Sequence, residues 1–155
     1  VKAIVESKGD YSLEQMAKLF SPEAGNARLS TELLHQVDAI HPEVRALLPE
    51  AYAKESYTFW DAVLLVVVSR TRGALALSQG QIKDLLQKAE SVAGLLSSTE
   101  TTCTVFWSGE AYHLAFAKDV MPILFDGTIQ AKAVYPLAEI ADELKTKHRG
   151  LFQMQ

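Results

Sequence analysis

Ser108, His113 and Asp119 supply a hydroxyl, an imidazole and a carboxylate within one short stretch. Together they could act as nucleophile, base and orienting acid if held within hydrogen-bond reach. Only residue types support that reading, because the glycine-flanked serine of a nucleophile elbow is absent. The four histidines His35, His41, His113 and His148 are scattered, and none forms the four-apart pair of a zinc helix. His35 and His41 flank a helix end, either as a ligand pair or as a surface histidine and a helix-stop histidine. Glu139, Asp142 and Glu143 are either an acid/base set or the solvated face of a helix. Trp60, Trp107, Tyr112 and Tyr135 either line a small-molecule pocket or belong to the core. The single thiol, Cys103, is either a nucleophile or redox sensor, or a small apolar filler within Thr101 to Trp107. Gly73, Gly80, Gly94 and Gly109 stand alone, so there is no phosphate-cradling loop. The chain is therefore expected not to be an enzyme and to need neither metal nor cofactor.

These groups are carried by two kinds of segment. Up to about residue 98 the apolar spacing is helical. Ser12 and Gln15 make a capping box before Leu13, Met16, Ala17 and Phe20, and Ser21-Pro22 ends that helix. A second helix is predicted from Ser30 to Ile40, capped by Ser30 and stopped by His41-Pro42. A short piece from Glu43 to Leu48 follows, ended by Pro49. Tyr57 to Arg72 is apolar nearly all round and long enough to be a buried helix, with its cationic end before Gly73. Another helix starts at Ser78, again with Gln81 at capping-box spacing.

After a polar stretch at residues 97–102 the pattern becomes β-branched and aromatic. Thr102 to Trp107 and Ala111 to Phe116 read as strands joined at Ser108-Gly109. Asp126-Gly127 is a hairpin signal between Ile123–Phe125 and Thr128–Val134. Leu137, Ile140, Ala141 and Leu144 mark a last helix, with Lys145, Lys147 and His148 at its C-terminal end. The expected fold class is α+β: a helical domain over residues 1–98, then a small antiparallel meander and a C-terminal helix over 99–155.

With 155 residues, 48% of them hydrophobic, the chain can bury a core without staples. One cysteine cannot form an intramolecular disulfide, the first residues do not read as a signal peptide, and the longest apolar run, Ala62 to Val68, is too short to span a bilayer. A cytoplasmic location and no membrane association are expected. Net charge is −4, and residues 1–100 carry ten basic against thirteen acidic side chains. Binding to nucleic acid would have to come from a local patch, because phosphate neutralisation supplies much of such affinity.

The order of pieces resembles the MerR family of winged-helix regulators. Tyr11 to Phe20 is similar to the family's opening helix, Leu47-Leu48-Pro49 to the entry of its wing, and Tyr57 through Leu86 to the long helix after the wing and its continuation. The resemblance implies a winged helix-turn-helix that binds double-stranded DNA as a transcription regulator. The apolar load of the β-rich tail, with Val105, Phe106, Trp107, Leu114 and Phe116 among it, points to a homodimer through residues 101–148. Ser30, Thr31, His35 and Gln36 would face the major groove, Gln36 reading adenine. Arg28, Lys54, Arg70 and Arg72, with Lys18, would contact phosphates. The alternative is a protein-interaction module, such as an antitoxin or adaptor, that keeps the helical core without binding DNA.

Overall fold

The computed structural model describes residues 28–93, 102–116 and 129–152. The expected helix at Ser12–Phe20, Lys18, Asp119 and the Asp126-Gly127 turn lie outside the described residues.

The segment expected to be apolar on every side is a helix buried on nearly every side. It runs from Phe59 to Leu75 (α4), and Phe59, Ala62 to Val68 and Thr71 are all in the core. Its start lies two residues beyond the expected Tyr57. Tyr57–Thr58 is a short strand (β2) paired antiparallel with Arg28–Leu29 (β1). Thr58 then caps the helix: its hydroxyl accepts from the Asp61 amide, and the Asp61 carboxylate accepts from the Thr58 amide. That reciprocal box satisfies two amides that would otherwise have no partner. At the other end the helix runs through Gly73, where the sequence predicts a stop. It ends instead at Ala76, whose φ of 51° turns the backbone left-handed.

Between β1 and β2 the chain is less helical than its periodicity predicts. Ser30 does cap a helix, accepting from the Leu33 amide at 3.3 Å. The helix is one turn, Thr31–Leu34 (α1), and does not continue to Ile40. Leu34, Val37 and Ile40 still reach the core, but through successive turns. The Arg45 guanidinium donates to the carbonyls of His35 and Val37, which in a continuing helix would face amides four residues on. His41 caps the next helix, Pro42–Ala46 (α2), through its Nδ1. Pro49 does not end that piece; it sits in the first turn of a further one, Leu48–Ala51 (α3), where a missing N–H costs nothing.

Gln79–Ala93 (α5) begins at the expected box: Gln81 donates its amide to Ser78 Oγ, and Gln81 Oε1 accepts from the Ser78 amide. Thr102–Trp107 (β3) and Tyr112–Phe116 (β4) form an antiparallel hairpin. Gln130–Pro136 (β5) lies on the other side of β3, so the sheet order is β4-β3-β5. Leu137–Lys147 (α6) is the C-terminal helix, followed by a final turn, Arg149–Phe152 (α7). Buried residues of α4, α5, β3, β4 and α6 belong to one apolar cluster. The chain is mixed α+β with small antiparallel sheets, and no helix among the described residues is long and apolar enough to cross a membrane.

Candidate functional site

The residues expected to face DNA fall into two groups with different fates. Arg28, Ser30, His35 and Gln36 are exposed and Thr31 is half-buried, all on or beside the single turn of α1. A single turn cannot lie along a groove as a recognition helix does. The other described cations of the set, Lys54, Arg70 and Arg72, are held by carboxylates. Lys54 Nζ lies 2.7 Å from Asp61 Oδ1, Arg70 2.6 Å from Glu143 Oε2, and Arg72 Nε 2.9 Å from Glu43 Oε2. Each pair joins separate elements: β2's approach to α4, α4 to α6, and α4 to α2. Asp61 and Arg72 are about 16 Å apart along the helix axis, so Lys54 and Arg72 sit at opposite ends of α4.

The other candidates separate in the same way. His113 Nε2 and Ser108 Oγ are 3.2 Å apart, so two of the three triad types do meet. The Ser108 hydroxyl is also within 3.3 Å of the Ala111 amide and 3.2 Å of its carbonyl, as a turn serine would be. Burial first, then the Lys88 charge, lowers the His113 pKa, which favours the neutral ring. His35 and His41 do not converge: His35 is exposed and His41 is a helix cap. No group of three or more potential metal ligands forms among the described residues. Cys103 is fully buried in β3, as a filler would be. Glu143 is used in its pair with Arg70.

Of the four aromatics, two share a cavity. Trp60 packs edge-on against Phe59, and Tyr135 Oη lies 3.0 Å from the buried Thr71 hydroxyl. Trp107 and Tyr112 are direct cross-strand partners at the end of the β3–β4 hairpin, with ring centroids 4.8 Å apart and planes at 58°. They line an open cavity of about 380 Å³ together with Asp84, Glu110 and the start of α5. The hairpin turn makes this possible. Gly109, at a φ of 101°, takes a conformation costly for other residues, and Glu110 follows it in the cavity lining. Lys88 ties the two walls, reaching Asp84 Oδ2 and the Tyr112 carbonyl, each at 2.8 Å.

Asp84 and Glu110 were not among the residues singled out from the sequence. Their only signal there was position, one on the first turns of a capped helix and the other in a turn. What joins them is the packing of α5 on β4, which has no local signature. Compared with family models, curated proteins and solved structures, the chain matches none.

Proposed function

We propose that the chain is a protein-interaction module that does not read duplex DNA. The observation that carries this is the neutralisation of Lys54, Arg70 and Arg72 by Asp61, Glu143 and Glu43 respectively. Exposed ion pairs are weak, and an arginine can leave one for a phosphate. Its carboxylate stays behind, however, and keeps the local potential near zero. Phosphate binding depends on a net positive surface that releases counterions. The two arginine pairs add no such surface, and the remaining cation of the set among the described residues, Arg28, stands on a two-residue strand.

The partner expected first is a second copy, meeting through residues 101–148. Within the described sheet β5 pairs with β3 alone, and Val134 on it is 59% exposed. An edge strand can accept another strand by main-chain hydrogen bonding, and the exposed Lys132 beside Val134 limits indiscriminate pairing. A cytoplasmic setting fits the lone buried thiol.

The test is an anisotropy titration of mixed-sequence duplex at low salt, alongside light scattering. No duplex binding at tens of micromolar protein, together with a dimer mass, is the expected result. Salt-sensitive duplex binding would overturn the reading in favour of the DNA-binding alternative.

A further inference from the structure

We propose that the cavity between the start of α5 and the β3–β4 hairpin binds an alkylated ammonium group. This does not depend on whether the chain self-associates or binds DNA. Two features of the lining converge on one chemistry. Trp107 and Tyr112 supply two tilted aromatic rings to one volume of about 380 Å³, which is in the range of small-molecule sites. A cation near such ring faces is attracted by their quadrupoles, tryptophan giving the strongest effect. Asp84 from the helix and Glu110 from the turn then place two carboxylates on the same cavity.

The charges near the cavity decide the sign of the ligand. Lys88 is the opposing charge, and its Nζ is fixed on Asp84 Oδ2 and the Tyr112 carbonyl. Glu110 makes no ion pair among the described residues. Two carboxylates against one ammonium leave one net negative charge. The start of α5 adds a partial positive charge, reduced where the Ser78 and Gln81 amides are taken up by their own capping box, and the two carboxylates outweigh it as full charges.

The softness of the lining decides the kind of cation. A hard divalent ion needs six or more oxygen ligands or its own waters. Two carboxylates and two aromatic rings instead suit a weakly hydrated, methylated ammonium, for which aromatic cages are the general solution. That chemistry is shared by free quaternary amines and by methylated lysine in a peptide.

The experiment follows the Trp107 indole N–H by NMR in the full chain while choline is added, with 3,3-dimethylbutan-1-ol as the neutral isostere. Choline should shift the resonance saturably and bind about 5- to 30-fold more tightly than the isostere. Glu110→Gln, in an exposed turn, should weaken choline and leave the isostere unchanged, with the melting temperature unaltered. A trimethyl-lysine peptide that binds more tightly than choline, and more tightly than its unmethylated counterpart, assigns the peptide source. Choline binding without that gain assigns the free amine. Equal affinity for choline and the isostere, or no movement of the Trp107 resonance at tens of millimolar choline, would overturn the proposal.

Discussion

The phenol of Tyr52 donates to Asp61 Oδ1 across 2.7 Å, and both residues are buried. Lys54 Nζ reaches the same oxygen at 2.7 Å, while Thr58 supplies its amide and hydroxyl to Oδ2 at 2.8 and 3.0 Å. One carboxylate therefore caps α4 and pins the loop that enters it.

Removing that carboxylate should be among the most damaging single changes in the chain. Asp61→Ala leaves a phenol, an ammonium and a helix start without their acceptor, and should cost about 3–5 kcal/mol in urea unfolding. Tyr52→Phe removes one donor and keeps the packing, so about 1–2 kcal/mol is expected. An Asp61→Ala cost no larger than that of an exposed substitution would contradict the assignment.

Stability should fall on the alkaline side. Burial first, and then the Asp61 charge, pushes the Tyr52 pKa up, and burial does the same for Tyr57. A tyrosine whose folded pKa lies above its unfolded value of about 10 contributes fully below that pH and loses its contribution as pH rises past it. Unfolding curves should thus weaken above about pH 10, and Tyr52→Phe should flatten that limb. His113 has the opposite sign. Its lowered pKa means a small loss as pH drops through about 6.5, which levels off below the folded value and is absent in His113→Gln.

If carboxylates are what cancel the cations, removing them should reveal those cations. The double variant Glu43→Gln, Glu143→Gln frees Arg72 and Arg70. It should acquire weak, sequence-independent duplex binding at low salt with a salt slope of roughly 2. Folding should change little, because the Arg70–Glu143 pair is exposed and the Arg72–Glu43 pair is only partly buried. Anisotropy that stays flat for this variant would place the obstacle to DNA binding elsewhere.

Self-association should depend on β5, which among the described strands pairs with β3 alone. Val134→Lys places a charge on the exposed side of that strand and should return a dimer to monomer mass in light scattering without lowering the melting temperature. A dimer that persists would move the interface away from this strand.

Much of the fold was legible where one local rule dominated. The Ser78–Gln81 box, the β3 strand and the burial of Ala62 to Val68 all follow from caps, alternation and a continuous apolar run. The second helix was not, because Leu33, Leu34, Val37 and Ile40 fit a helical stripe as well as they fit a series of turns. Arg45, from the next helix, satisfies the carbonyls of His35 and Val37 in the turn arrangement. Thr58-x-x-Asp61 was readable as a cap but was masked by the apolar run behind it. Among the candidate site residues, Trp107 and Tyr112 were visible as aromatics on adjacent strands. Asp84 joins them only through the packing of a helix on the sheet, which no spacing encodes.

Pro136 is at once the last residue of β5 and the residue that caps α6. With no loop between them, the turn from strand to helix is made at one residue whose φ is fixed by its ring. The direction of β5 and the seating of the last helix are therefore set at the same joint.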